Sequence, residues 1–213
     1  MTSGIRDDFL ATARSAADLL REPAVAAAWN GPSALPEFSV GGLAGHLAYQ
    51  VLLLPDALAG PEPQEETVSL LDHYSRAQWI DSDLDGDINV RIRNGGERLA
   101  AEGPAALVAR VDQALGELTG LLASLPDRPA RVPLWGPWSL RLDDLLITRT
   151  MELVVHSDDL AVSVGIATPA FPQGAVDAVV DLLSRLAVRR HGPTDVIRAL
   201  SRAERAPATI TAF

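Results

Sequence analysis

One segment of the chain carries ionisable residues at helical spacing among apolar ones. Glu152 and His156 are four residues apart, so a helix places both side chains on one face. Arg149 and Asp159 fall on the same face, about one turn before and after this pair. Most other residues between 145 and 162 are apolar, which predicts a largely buried helix. The ionisable face is therefore either a solvated stripe or a site directed into a helical bundle.

The two interpretations predict different chemistry. On a solvated face, Arg149 and Glu152 form an i,i+3 pair, and His156 and Asp159 are simply exposed. In a bundle interior, Glu152 and His156 can bind one divalent metal ion, and Asp159 can contact a ligand histidine as an outer carboxylate. This second interpretation requires a third ligand from another helix.

His46 is the candidate for the third ligand. It borders the apolar face of a predicted helix that begins after Ser39 and contains Gly41, Gly42 and Gly45. Three glycines cost roughly 2–3 kcal/mol of helix propensity relative to alanine, so a helix that retains them is expected to need the space. Small residues allow another backbone or a ligand to approach closely. A histidine at the edge of the core, with its hydrogen bonds satisfied, is the alternative.

The composition is that of a globular protein and excludes several classes of function. Apolar residues make up 47% and charged residues 22% of the 213 residues. The net charge of -10, with no basic run, argues against nucleic-acid binding. No uninterrupted apolar stretch reaches the roughly 18 residues of a membrane span. The first ten residues include two aspartates and no long apolar run, so we expect no signal peptide and a cytoplasmic protein.

The absence of cysteine restricts the chemistry further. Without cysteine the chain has no disulfide, no thiolate metal ligand and no cysteine nucleophile. A metal site must therefore use nitrogen and oxygen ligands, and thiol chemistry requires a thiol from outside the chain.

Helical periodicity covers most of the chain and the strand signal is weak, so the predicted fold class is all-α. A Pro/Trp-rich loop at 127–141 precedes the helix with the ionisable face. Its Trp135 and Trp138 either line a pocket or pack in the core under the loop. The predicted helical segments are 4–29 with an interruption at Pro23, 39–59, 70–79, 91–101, 104–125, 142–164, 173–190 and 194–202.

Two segments taken together resemble a known family. The first is residues 39–48 (Ser-Val-Gly-Gly-Leu-Ala-Gly-His-Leu-Ala). The second is residues 145–161 (Leu-Leu-Ile-Thr-Arg-Thr-Met-Glu-Leu-Val-Val-His-Ser-Asp-Asp-Leu-Ala). In order and spacing they are similar to the DinB-like superfamily. They are more closely similar to the N-terminal domain of the mycothiol-dependent maleylpyruvate isomerases of actinobacteria. The resemblance covers residues 1 to about 165.

The resemblance implies an architecture and a site. Residues 1–165 would form a DinB-like metal-binding four-helix bundle with extra short helices. Residues 166–213 would form a short helical extension packed on the bundle. His46, Glu152 and His156 match the residues that bind a divalent metal, usually zinc, in the family. Arg149 and Asp159 match the arginine before the glutamate and the aspartate after the histidine, and they are the candidate catalytic residues.

The resemblance also implies an activity. Mycothiol would be the co-substrate, and its thiolate would attack a small electrophile in an isomerase or S-transferase reaction. The partners would be these small molecules rather than nucleic acid or membrane, with the chain as a monomer or homodimer. Family isomerases carry a larger second domain than residues 166–213 provide, so the electrophile is left open. The alternative is a non-catalytic bundle that binds a metal or a small molecule.

Overall fold

The chain is mainly helical in the computed structural model, which describes residues 3–213 and leaves Met1 and Thr2 outside the described residues. The all-α prediction is confirmed. The helices are α1 (Ser3–Leu20), α2 (Pro23–Ala27), α3 (Val40–Leu52), α4 (Leu54–Ala59), α5 (Leu70–Ser75), α6 (Asp87–Ala100), α7 (Pro104–Ser124), α8 (Leu142–Val164), α9 (Gln173–His191) and α10 (Pro193–Ser201). Two short strands, β1 (Pro129–Ala130) and β2 (Leu140–Arg141), pair antiparallel within the Pro/Trp-rich loop.

The ends of the helices that carry the site follow local sequence signals. Ser39 caps α3, because its Oγ accepts a hydrogen bond from the backbone N–H of Gly42 at 2.8 Å. Gly165 ends α8 in the left-handed conformation, with a φ of 71°. Pro23 and Pro104 lie in the first turns of α2 and α7, where a missing N–H costs nothing.

Four helices form the bundle that positions the site. α1 and α3 each pack against both α7 and α8, so the four helices enclose one core. Each fully buried leucine contributes about 1.5–3 kcal/mol relative to an exposed one. The large, fully buried side chains of this core include Phe9, Leu43, Leu47, Leu107, Leu118, Leu145, Leu146 and Leu153.

A glycine contact brings α6 against α3. A Cβ at Gly45 would overlap the carbonyl oxygen of Gly96, and a Cβ at Gly96 would overlap the carbonyl oxygen of Gly42. The two backbones therefore touch directly, which only glycine permits. The expectation that the glycines of α3 admit a close neighbour is met by the backbone of α6. This contact places α6 beside His46.

The C-terminal part of the chain packs on the bundle through α9, which contacts α8 and α1, while α10 packs on α9. The last residues return to the bundle. His191 Nε2 lies 2.9 Å from the carbonyl oxygen of Thr211. The ring of Phe213 lies 4.8 Å from that of Trp79 and 5.8 Å from that of Tyr74. A domain boundary near residue 165 stays a prediction.

Across residues 3–213, no helix combines the length and the apolar character that a transmembrane span requires.

The glycine contact predicts the effect of adding one methyl group. Gly45→Ala should lower the free energy of unfolding by about 1–3 kcal/mol, because the new Cβ must push the α6 backbone away. Urea unfolding followed by circular dichroism measures this loss. Gly120→Ala is the matched control, because a Cβ there meets nothing within 4 Å and alanine is the better helix former. Equal stability of the two variants would contradict the close packing of α3 and α6.

Candidate metal centre

Three side chains from two bundle helices meet at one point. His46 extends from α3, and Glu152 and His156 extend from α8. One potential ligand atom from each lies within 4.8 Å of the others. Glu152 Oε2 is 3.1 Å from His156 Nε2 and 3.7 Å from His46 Nε2. The three side chains are only 14–18% exposed, so this part of the ionisable face is not a solvated stripe. Within residues 3–213, no other group of three histidines or acidic residues has this geometry.

Asp159 orients one of the histidines. Its Oδ2 lies 2.9 Å from His156 Nδ1, so this nitrogen carries the proton and Nε2 is directed at Glu152. Burial lowers the pKa of His156, but the hydrogen bonds and negative charges of Asp159 and Glu152 outweigh burial and raise the pKa to about 9. Without a metal, His156 is therefore protonated at neutral pH.

His46, Glu152 and His156 are together called the triad. The pKa shifts of its other two members keep His46 uncharged and Glu152 ionised. Burial lowers the pKa of His46, although the Glu152 carboxylate 3.7 Å away opposes this shift. Burial would raise the pKa of Glu152, but the hydrogen bond with His156, the nearby His46 ring and the charge of Arg149 hold it well below its usual range. The triad is therefore a neutral imidazole, a carboxylate and an imidazolium.

This donor set fits a divalent metal. Two imidazole nitrogens and one carboxylate oxygen are the ligands that zinc and neighbouring divalent ions accept. A cation would replace the proton of His156 as the partner of the Glu152 carboxylate. Three protein ligands leave a coordination position open, which is typical of catalytic rather than structural zinc sites.

Arg149 is held as a fixed cation beside the triad. It is 5% exposed, donates from Nη1 to Gln50 Oε1 and donates from Nε to Thr148 Oγ1 at 3.0 Å. Its guanidinium lies 4.7 Å from the centre of the Trp135 ring. Among the ion pairs of residues 3–213, none joins Arg149 to Glu152, so the pairing expected for a solvated stripe is wrong.

A cavity of about 510 Å³ opens beside the triad. His46 and Glu152 lie on its wall together with Gln50, His73 and Arg149. The remaining wall is largely apolar and comes from α5, α6 and the Pro/Trp-rich loop. Trp135 and Trp138 of that loop both lie on the wall. Trp138 is only 7% exposed and also packs in the core, so it both lines the pocket and fills the core under the loop. The apolar lining side chains include Tyr74, Ile88, Ile92, Leu99, Trp135 and Trp138.

Three arginines give the cavity a positive potential. All 18 basic residues of the chain are arginines, against 28 acidic residues. The side chains of Arg91, Arg98 and Arg110 make no hydrogen bond or ion pair with residues 3–213, and all three line this cavity. A cationic cavity in an acidic protein concentrates small anions.

Two polar residues of the site, Gln50 and His73, were not identified from the sequence. Gln50 donates from Nε2 to the backbone oxygen of His46 at 2.9 Å, and the i,i+4 spacing of this pair was an available signal. His73 accepts a hydrogen bond from Trp138, which lies 65 residues away in the chain, so no spacing pattern could reveal it.

The metal site predicts the effect of removing one ligand. Loss of a residue that only hydrogen-bonds to a metal ligand weakens metal binding by roughly 10–100-fold. His46→Ala removes a ligand itself, so it should weaken zinc binding by more than this. Competition titration with a chromogenic chelator measures the affinity. His191→Ala is the matched control, because His191 lies at the end of α9 and, within residues 3–213, its side chain bonds only to the backbone of Thr211. Equal affinities of the two variants would remove His46 from the ligand set.

The protonated state of His156 predicts a pH dependence. The metal must displace a proton from a group with a pKa of about 9, so affinity should rise about tenfold per pH unit towards pH 9 and then level off. Asp159→Asn removes the acidic partner that raises the pKa of His156, so the metal affinity should level off at a lower pH. The affinity on that plateau should be about 10–100-fold weaker than in the wild type. A pH-independent affinity between pH 6 and pH 8 would contradict this assignment.

Comparison with known proteins supports the resemblance read from the two segments. The family model described as the mycothiol maleylpyruvate isomerase N-terminal domain matches residues 9–161, which is well over half of the chain. Neither the comparison with curated proteins nor that with solved structures gave a match.

Proposed function

Because the chain belongs to the mycothiol maleylpyruvate isomerase N-terminal domain family, we propose that it is a divalent-metal-dependent enzyme that uses mycothiol. It acts on a small anionic electrophile as an isomerase or S-transferase. The observation that carries this proposal is the position of the triad. His46 and Glu152 open on a cavity whose wall also holds the buried cation of Arg149.

The metal would be held by His46, Glu152 and His156, and zinc is the family expectation. When bound, a divalent cation favours thiolate over thiol, which provides a nucleophile at neutral pH. This requirement matches a chain without cysteine, since the reacting sulfur must then enter from solution. Asp159 contributes by holding His156 in one tautomer, so it acts through the histidine rather than on the substrate.

Arg149 is the residue proposed to bind the electrophile. Its guanidinium is fixed on three sides by Gln50, Thr148 and Trp135, so little side-chain entropy is lost when an anion binds. Guanidinium groups bind carboxylates through parallel hydrogen bonds. The apolar wall around Arg149 limits water, which strengthens its attraction for a carboxylate or a developing oxyanion.

Arg91, Arg98 and Arg110 are proposed to attract the anion rather than to fix it. They are exposed and free of partners, so their guanidinium groups keep their solvation and act over a distance. Steering of this kind raises the rate of capture and weakens as salt screens the charges.

Isomerase and S-transferase share their first step, the formation of a bond between the thiolate sulfur and an electrophilic carbon. In an isomerase the carbon belongs to a conjugated double bond, and the sulfur departs after rotation. In an S-transferase the sulfur stays on the product. The cavity is compatible with both outcomes, and the identity of the electrophile decides between them.

Turnover assays test the proposal. The zinc-loaded chain should consume mycothiol, or isomerise a substrate with mycothiol present, for at least one member of a panel of conjugated and alkylating carboxylates. Glu152→Gln should abolish this activity, because it removes the carboxylate ligand and lowers metal occupancy. Liquid chromatography of substrate and product measures both reactions.

Absence of turnover across the panel at full metal occupancy would contradict the enzyme assignment. Saturable binding of mycothiol or of a carboxylate by calorimetry would then support the alternative of a non-catalytic binding protein.

The steering role predicts a charge-dependent defect. Replacing Arg91, Arg98 and Arg110 together with glutamine should lower kcat/KM for an anionic electrophile by roughly 10-fold or more at low salt, with kcat nearly unchanged. A neutral electrophile should be unaffected. Arg14→Gln is the control, because Arg14 is exposed and lies outside the cavity. Equal losses for charged and neutral electrophiles would contradict steering.

A further inference from the structure

We propose that His73 is a catalytic residue that contacts the electrophile by donating a hydrogen bond from its uncharged Nε2–H to a carbonyl or carboxylate oxygen. Trp138 is the positioning residue that makes this donation possible. The catalytic effect of this bond rests on the proposed function, whereas the availability of the donor rests on the geometry of His73 alone.

The contact between the two residues determines the tautomer of His73. Trp138 Nε1 lies 3.1 Å from His73 Nδ1, and both side chains are buried. The indole N–H can only donate, so Nδ1 must be the acceptor and carry no proton. The proton of the neutral imidazole therefore resides on Nε2.

The same contact keeps His73 uncharged. A protonated imidazole would direct an N–H at the indole N–H, and neither group could accept. Burial lowers the pKa of His73 to about 4, with a further lowering by the positive charge of Arg149 and an opposing effect from Glu152. His73 lines the same cavity as Arg149 and Glu152.

The free nitrogen of His73 belongs to the cavity. His73 lines it, is 5% exposed, and has no partner for Nε2 anywhere in residues 3–213. Nε2 is not among the fully buried atoms without a partner, so it reaches the cavity, where only water or a ligand can accept its hydrogen bond. An oxygen of a bound electrophile would supply that acceptor.

Trp135 connects this donor with the proposed anion site. Its ring lies 4.5 Å from the His73 ring and 4.7 Å from the guanidinium carbon of Arg149. A neutral donor and a cation therefore share one aromatic neighbour on the same cavity wall. An electrophile with two oxygen-bearing groups can place one at each residue, with its reactive carbon exposed to the thiolate.

The neutral donor suits the proposed addition to a conjugated carbonyl. The sulfur lone pair forms the S–C bond, and the π electrons of the C=C bond move onto the carbonyl oxygen. His73 Nε2–H stabilises this enolate oxygen and keeps its own proton, because a neutral imidazole is a very weak acid. In the isomerase branch the electron pair returns, the S–C bond breaks and the double bond re-forms, so no net proton is required. In the transferase branch a proton from water is added to the carbon, and the sulfur stays attached.

Substitution tests the catalytic role. His73→Phe keeps a ring of similar size and removes the donor, so kcat should fall roughly 100-fold while zinc affinity stays near wild type. The unfolding temperature should drop, because the buried indole N–H of Trp138 loses its acceptor. His191→Phe replaces a histidine that does not line the cavity and should retain activity. A His73→Phe variant that folds, binds zinc and keeps wild-type kcat would overturn the proposal.

Nitrogen NMR tests the donor without any turnover. In the zinc-loaded wild-type chain at neutral pH, His73 should show a protonated Nε2 and an unprotonated Nδ1. Trp138→Phe should convert this single tautomer into a mixture, because the indole donor is lost. Millimolar fumarate, used as a conjugated carboxylate probe, should shift the Nε2 resonance.

The two measurements separate the possible failures. If no electrophile is turned over but fumarate shifts the Nε2 resonance of the single expected tautomer, the proposed function fails and the donor assignment stands. A proton on Nδ1, or an Nε2 resonance that fumarate leaves unchanged, overturns the assignment of His73 whatever the activity.

Discussion

The buried carboxylate of Glu152 is the constraint on which the rest of the structure depends. An ionised carboxylate inside a bundle is stable only with opposite charge or hydrogen-bond donors close by. His156 provides a donor from the same helix, the His46 ring lies 3.7 Å away on α3, and Arg149 adds positive charge. The relative position of α3 and α8 is therefore tied to one side chain. The same partners that stabilise the carboxylate are the groups that suit a divalent cation.

The Glu152 carboxylate lies between a closed apolar core on one side and a cavity open to small molecules on the other. The leucine core of α1, α3, α7 and α8 closes the inner side. On the other side, the glycine contact holds α6 close to α3 while leaving room for a cavity between α6, α5 and the Pro/Trp-rich loop. Trp135 and Trp138 serve both purposes, because each covers apolar core and also holds a polar residue of the wall. The site is therefore dry enough for strong electrostatics and open enough for small molecules.

Much of this arrangement was accessible from the sequence, for local reasons. Helix ends depend on neighbouring residues, so the cap at Ser39, the prolines in first turns and Gly165 indicated the boundaries of the bundle helices closely. The spacing of Glu152 and His156 placed them on one face, and the small residues around His46 predicted a close neighbour. The family resemblance joined the two helices, and the match over residues 9–161 agrees with it.

The sequence by itself determined the all-α class, the starts of α3 and α7, the end of α8, the shared face of Glu152, His156 and Asp159, and the lack of an internal thiol. Each of these follows from composition or from interactions within a few residues. Only the tertiary structure decided that the face is buried, that Arg149 pairs with Gln50 rather than Glu152, and that Trp138 sets the tautomer of His73. It also decided that the three unpaired arginines surround one cavity. Such contacts join residues tens of positions apart, and no local periodicity encodes them, because they arise only when the helices pack.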